Sequence, residues 1–354
     1  VALFYQTKSE DQVNYTNKHG IKSASTIDAL SHNDYDLKDK PENVYSCTEI
    51  IDAPKKQILA RRHKDEIIVD IADRFWTMDG SAIHYAIEMS NKTNGANRLS
   101  EERLYLRISG DKVACFTLND GEQLRDAAWY DADSIFVSVK FDQYEEITGT
   151  LEDNKRTSVW ETIYGLKVSR IQQLNIGALA LRLIGFSVNL LRAVLFLKDW
   201  NRRDYKSDIQ RNGDAGKYPA IPYYEAEVPP ASIEDQIEFM VERANLHNEM
   251  GKLEDDQIPE CTPEERWYRG EAIAVMKVGV QRAKKVFKVG DGVSLETAKQ
   301  MAGEYMATLM MGDSKGKYVT EHRPGTNQRC LEYCEVRQFC HFGKTLVEAE
   351  ETEE

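Results

Sequence analysis

Residues 135–197 constrain the fold more than any other stretch of the chain. Ile135 to Tyr144 (IFVSVKFDQY) alternates, with Val137, Val139 and Phe141 on one face, the period-two pattern of a strand. Glu145 to Thr150 (EEITGT) reads as a turn, and Leu151 to Trp160 (LEDNKRTSVW) as the returning strand. The period then changes. Ser169 to Ile184 places Ile171, Leu174, Ala178 and Leu181 on the apolar side of a helix, and Leu190 to Leu197 forms a further strand. A hairpin, a helix and another strand predict an α/β fold, with a mixed central β-sheet flanked by helices.

The flanking sequence is read in the same way. Residues 1–43 are polar and weakly patterned, an extended or loosely structured arm. Ser46 and Glu49 have capping-box spacing and start a helix through Ile50, Ile51, Ile58 and Leu59, interrupted near Pro54. A second helix is predicted from about Ile68 to Met89. Strands follow at Arg103 to Ile108 and Lys112 to Leu118. Residues 201–230, rich in Gly, Pro and Tyr, are expected to be an irregular insertion. Ser232 to Asp235 caps a helix to about Leu253, and helical pieces are expected around Trp267, Val275 and Met301. The predicted divisions are an arm (1–43), a core (44–200), the insertion (201–230), a helical C-terminal region ending in a cysteine cluster (231–346) and an acidic tail (347–354).

Composition narrows the function. At 354 residues, a core of ordinary size is within reach without a disulfide framework. No apolar run reaches the roughly 18 residues of a membrane span, because Arg182, Asn189 and Arg192 interrupt the most apolar stretch, so no membrane partner is expected. Six cysteines and no signal-peptide pattern lead to a reducing, cytoplasmic setting. The net charge of −13 argues against a protein that coats nucleic acid by bulk attraction. Two windows run the other way. Lys55 to Lys64 and Lys277 to Lys288 each hold five Lys or Arg and no acid. They are either solvated helix faces or local contacts for a polyanion.

Asp142, Asp153 and Lys155 are the most informative polar residues. Asp153 and Lys155 leave the same face of one strand, and the hairpin brings Asp142 beside them. Two converging carboxylates make a hard-oxygen site for Mg²⁺ or Mn²⁺. A lysine there could orient a water or offset charge developing on a phosphate. The competing reading is an exposed cross-strand ion pair. His84, with Glu88 one helical turn further on, could add a nitrogen ligand to the same metal.

In the order Gly80 and His84, Asp142, Asp153-Asn154-Lys155 and Gln173, the chain resembles the PD-(D/E)XK nuclease superfamily, and within it the RecB and AddB branch with its CRISPR-adaptation and phage-encoded relatives. The pattern is G-x-x-x-H, G-x-x-D, (D/E)-x-K and Q-x-x-x-Y. Two positions depart from it: Val139 stands at the glycine of the second motif and Gly177 at the tyrosine of the last. The stretches YSCTEIIDAPKKQIL, TSVWE, QQLNI, FLKDW and CTPEERW share the same character, and the likeness runs from about Tyr45 to Cys340. The resemblance implies a restriction-endonuclease-like core. It also implies His84, Asp142 and Asp153 as Mg²⁺ or Mn²⁺ ligands, Lys155 assisting water, Gln173 positioning substrate or water, and Glu88 and Glu152 as outer carboxylates.

Cys330, Cys334 and Cys340 form C-x3-C-x5-C, which is not the paired C-x2-C spacing usual for zinc. A metal site needs a fourth ligand, and Cys261, Cys47, Cys115 and His341 are the candidates. The resemblance favours a [4Fe–4S] cluster over zinc, with Cys261 as the fourth ligand and Cys47 as runner-up. Such a site would tie the last segment to the fold.

The expected function is therefore metal-dependent hydrolysis of DNA phosphodiester bonds, in recombination, repair or processing, within a bacterial or phage-infected host cell. Its partners would be single- or double-stranded DNA and recombination or replication proteins. Lys55, Lys56, Arg61, Arg62, Lys284 and Lys285 are the expected DNA contacts. Two alternatives stand beside it: a scaffold of the same fold that binds DNA or partners without turnover, and a cysteine-ligated zinc protein.

Overall fold

The computed structural model describes residues 14–31, 40–94, 97–312 and 316–346, so the predicted acidic tail and residues 1–13 lie outside the described residues. The chain divides into two units, Val1–Glu254 and Asp255–Glu354, each mixing helices and strands.

The first unit begins with β1 (Asn14–Thr16), α1 (Ala24–Ser31), β2 (Val44–Ser46), α2 (Cys47–Ile51), α3 (Pro54–Arg62), β3 (Ile68–Asp70) and α4 (Phe75–Asn94). It continues with β4 (Arg98–Ser100), β5 (Arg103–Ser109), β6 (Lys112–Phe116), β7 (Ile135–Lys140), β8 (Gln143–Glu145) and β9 (Thr150–Thr157). It closes with α5 (Trp160–Tyr164), α6 (Val168–Leu183), β10 (Leu190–Leu197), α7 (Arg202–Asn212), β11 (Tyr223–Val228) and α8 (Ile233–Met250).

Two mixed sheets form the frame. One has the order β11-β10-β9-β8-β4, in which β10 runs parallel to β9 and the other pairs are antiparallel. The other has the order β2-β7-β5-β6, with β2 parallel to β7. The predicted helix is α6, the crossover that a parallel β9–β10 pair requires. It packs against strands of both sheets and buries Leu174, Ile176, Leu179 and Leu181 in the main core. Gly177 lets this helix lie close to β9, since a Cβ there would stand 3.0 Å from Leu151 Cδ2. The turn between β8 and β9 is equally tight. Gly149 holds φ 67°, and a Cβ would meet Asn189 Nδ2 at 2.6 Å and Ser187 O at 2.7 Å.

The capping box forms as predicted. Ser46 Oγ accepts from Glu49 N, and the Glu49 carboxylate accepts from Ser46 N at 2.5 Å. Pro54 does not interrupt a helix but starts α3, where its missing N–H costs nothing. The alternating run at 135–144 breaks into β7 and β8, which belong to different sheets, and Asp142 lies in the gap between them. The arm is tied down where it is described: β1 pairs with β3, and Asp70 accepts from Thr16 Oγ1 at 3.0 Å and Lys18 N at 2.9 Å. The span 201–230 is not irregular. Asn201 caps α7, and β11 extends the sheet along β10. The helix expected from Ile68 begins as β3 and a short 3₁₀ turn before α4.

The second unit holds β12 (Tyr268–Arg269), β13 (Ala272–Lys277), β14 (Lys285–Lys288), α9 (Leu295–Gly312), β15 (Tyr318–Arg323) and β16 (Thr326–Asn327). The helix expected around Met301 is α9, but Val275 lies in β13, so the unit is built on a sheet and is not wholly helical. Its centre is the antiparallel sheet β14-β13-β15, covered by α9, with Ile273, Val275, Phe287, Ala298 and Ala302 buried between them. Residues 272–276 (AIAVM) are buried without alternation, and periodicity alone does not separate such a run from a helix segment. Among the described residues no helix is long and apolar enough to cross a membrane.

Candidate active site

The central strand β9 carries Asp153 and Lys155 on one face. Glu152, one residue away, points to the other face, where it accepts from Gln143 Nε2 at 3.0 Å and Arg192 Nη1 at 2.7 Å. It thus braces the sheet and stands apart from the site. Lys155 Nζ donates to Asp153 Oδ1 at 2.6 Å. Asp142 enters from the β7–β8 gap, and its Oδ2 accepts from Asn154 N at 2.6 Å. The sheet register thus joins the two aspartates.

His84 arrives from α4, which is docked on β9 by an Arg156–Asp79 ion pair of 2.7 Å. Its Nδ1 lies 3.4 Å from Asp142 Oδ1 and 3.7 Å from Glu101 Oε1. The sequence reading did not include Glu101. It sits just before β5 with φ 59°, a left-handed conformation uncommon outside glycine. Its N–H donates to Asp142 O at 3.2 Å, and its second oxygen pairs with Lys140 at 2.5 Å. The only sequence signal is the polar Ser-Glu-Glu break ahead of β5. Glu88, by contrast, is held by Lys92 at 2.5 Å along α4, and Glu101 takes the place expected of it beside His84.

Burial raises the Asp153 carboxyl, Lys155 lowers it, and Asp142 raises it again; the net direction is up. Asp142 goes the other way. Burial would raise it, but the nearby His84 imidazole and the Lys155 charge hold it below the usual carboxylate range. Burial would lower His84, but Asp142 and Glu101 together raise it to about 9. Two cations, Lys155 and the raised His84, thus stand among these acids.

His84, Glu101 and Asp142 each offer a ligand atom within 4.8 Å of the others. His84 Nδ1 and Asp153 Oδ2 are buried and lack a hydrogen-bond partner. Ligands at 90° on one Mg²⁺ stand about 3 Å apart, given bonds of about 2.1 Å, so the observed spacing suits a divalent cation. The group so placed is His84, Glu101 and Asp142; Asp153, expected from sequence as the third ligand, is not in it, and Glu101 stands there in its place.

Gln173 lies on α6, one turn beyond Arg170, whose charge acts on both Asp153 and Lys155. The Gln173 carbonyl is 3.9 Å from Cys47 Sγ. Cys47 is buried beneath the site, its thiol pushed up to about 12 first by burial and then by Asp153. The two motif departures fall on packing positions. Val139 is in the core, and Gly177 is pressed against Leu151, so no aromatic ring fits there.

The window at Lys55–Lys64 is largely spent inside the fold. Lys55 is buried, and Lys56 pairs with Asp52 at 3.4 Å. Arg61 donates to Val44 O at 2.6 Å and covers the Tyr45 ring, and Arg62 donates to Gly251 O at 2.8 Å. These bonds clamp α3 to β2 and to the end of α8. Lys284 and Lys285 are exposed on the second unit, where Lys285 lies over Phe287 and Tyr305.

Cys261, Cys330, Cys334 and Cys340 all belong to the second unit, whereas Cys47 and Cys115 belong to the first. Arg329 N donates to Arg266 O at 3.1 Å and Arg329 Nη1 to Glu265 O at 3.2 Å, so the segments bearing Cys261 and Cys330 are joined. Cys330 sits on a single π-helical turn, Arg329–Tyr333. The Cys261 thiol is pushed up to about 12 by burial, then Glu265, then Cys340, Cys334 and Cys330. Their sulfurs therefore face a common region, but no three lie within 4.8 Å of one another. Four thiolates on one zinc, bonded at about 2.3 Å, would be about 3.8 Å apart.

No protein-family model matches the chain, and no curated protein matches it. Among solved structures the chain is similar to SSO0001, known from a crystal structure, with 18% identity and a TM-score of 0.38 over 64% of this chain and 83% of that one.

Proposed function

We propose that this protein is a metal-dependent deoxyribonuclease built on a PD-(D/E)XK-type, restriction-endonuclease-like core. The observation that carries this reading is the convergence of His84, Asp142, Asp153 and Lys155, with Asp153 Oδ2 and His84 Nδ1 buried and unsatisfied. His84, Asp142 and Asp153 would hold Mg²⁺ or Mn²⁺, and Glu101 would complete the acidic wall. When bound, such an ion lowers the pKa of water and offsets charge on a phosphate oxygen.

The chain's own residues supply the rest. Lys155 is fixed by Asp153 and presents a cation where a water and a scissile phosphate would meet. Asp142 is held by the Asn154 N–H, so the ligand geometry is set before substrate arrives. Gln173 would orient the substrate or the water from α6. Val139 and Gly177 serve packing, which leaves the ligand set intact and argues for an active enzyme over a binding scaffold.

Cys261, Cys330, Cys334 and Cys340 would hold a [4Fe–4S] cluster tying residues 261–266 to 329–340. What supports a shared site is that Cys340, Cys334 and Cys330 all act on the Cys261 thiol.

The deciding experiment is cleavage of single- and double-stranded DNA with Mg²⁺ or Mn²⁺, with and without chelator. Asp153→Ala and Lys155→Ala should each lower kcat by at least about 10²-fold while leaving the fold intact. Full activity in both variants would sink the assignment.

A further inference from the structure

Trp160 and Tyr164 lie side by side on α5 and remain in water. They are 53% and 81% exposed, with ring centroids 5.9 Å apart and planes tilted by 20°. Folding removes apolar rings from water wherever it can, so an exposed stacked pair calls for a partner. The helix that presents them is anchored. Between them Glu161 is buried, accepting from Thr157 Oγ1 at 2.6 Å and from Arg170 at 2.5 and 3.0 Å. Arg170 is the residue whose charge reaches Asp153 and Lys155. Trp160 lies five positions beyond Lys155, a reach of at most about 18 Å.

The same strand ends carry more of this chemistry. Lys198 N donates to Thr157 O at 2.8 Å, and its Nζ stands 4.0 Å from the ring centroid of Trp76, itself 62% exposed. Lys167 is exposed between α5 and α6. Asp199, which follows Lys198, is taken up by Ser158 Oγ at 2.6 Å and Val159 N at 2.7 Å. Exposed rings interleaved with cations match a chain of π-faces linked by phosphates. A duplex keeps its bases stacked inside, so only unpaired bases can lie on these rings.

We propose that Trp160 and Tyr164 form a stacking platform for the unpaired bases of single-stranded DNA, flanked by phosphate contacts from Lys167 and Lys198. The platform rests on the nuclease reading for its placement beside a site of cleavage, and it sets the enzyme's preference for single-stranded over blunt duplex substrates.

The test is fluorescence anisotropy with a labelled single strand and a blunt duplex, in chelator so that nothing is cut. It compares the wild-type protein, Trp160→Ala/Tyr164→Ala and Trp160→Phe/Tyr164→Phe. The alanine pair should weaken single-strand binding by about ten-fold or more, and the phenylalanine pair should keep most of it. Duplex binding should be unchanged. Both positions are exposed, so unaltered thermal unfolding is expected of each variant. Equal single-strand affinity in the alanine variant, an equal loss on duplex, or no binding by the wild type overturns the platform. So does a change confined to self-association. Cleavage with Mg²⁺ or Mn²⁺ on the same samples separates the two claims. Platform-dependent binding without cleavage removes the nuclease reading alone, and cleavage with platform-independent binding removes the platform alone.

Discussion

Glu101 adopts a left-handed backbone, φ 59°, so that one carboxylate reaches both His84 and Lys140. Strain of this kind is concentrated where a side chain must point one way. If Glu101 belongs to the metal site, Glu101→Gln should weaken Mn²⁺ binding by about ten-fold or more in isothermal titration. Unchanged affinity would remove it from the site. A second buried histidine has a different role. His247 is fully buried on α8, with its Nε2 3.1 Å from Ile50 O. Burial, then the Arg243 charge, lowers its pKa from 6.5 to about 4. The fold keeps this imidazole neutral, whereas the unfolded chain protonates it below its ordinary pKa. Stability is therefore fully present above about pH 6.5 and is lost as pH falls toward 4, by roughly 3 kcal/mol from this residue. Denaturant midpoints measured across that window should fall with pH for the wild-type protein, and less steeply for His247→Gln.

At the scale of the element, α6 does the most. It is the crossover between β9 and β10, it carries Arg170, whose charge reaches Asp153 and Lys155, and it closes on β9 through Gly177. Gly177→Ala puts a methyl group 3.0 Å from Leu151 Cδ2, so the leucine or the helix must give by a few tenths of an ångström. Overpacking of this sort costs about 1–3 kcal/mol, which outweighs the helix propensity gained from alanine. A denaturant midpoint that rises would show that the helix can shift. The element scale also explains why the Lys55–Lys64 window misled. Its charges were legible, but whether they face water was not, because α3 turns Arg61 and Lys55 inward against β2 and α8.

At the scale of the whole molecule, two units carry separate cores, one centred on α6 and the other on β13. If a cluster ties residues 261–266 to 329–340, its binding free energy is folding free energy for the second unit. Anaerobically purified protein should carry about four irons and four sulfides per chain on that reading. Cys330→Ala should remove them and lower a calorimetric transition of the second unit while the first unit's transition stays in place. Stoichiometric zinc without sulfide would overturn the cluster. The net charge of −13 also belongs at this scale. It disfavours bulk attraction of DNA, and with the Lys55–Lys64 window largely spent internally, the proposed phosphate contacts fall to local cations such as Lys198 and Lys167.

The sequence by itself determined the strand, helix and strand of residues 150–197, since these repeat with periods that only one backbone geometry satisfies. It also determined the Ser46 cap and the pairing of Asp153 with Lys155, both of which are interactions between near neighbours. Only the tertiary structure decided that Glu101, and not Glu88, stands beside His84. It also decided that Glu152 faces away, and that the second unit is built on a sheet where helices were expected. These outcomes depend on which residues distant in sequence come together, and neither hydrophobic period nor local spacing carries that information.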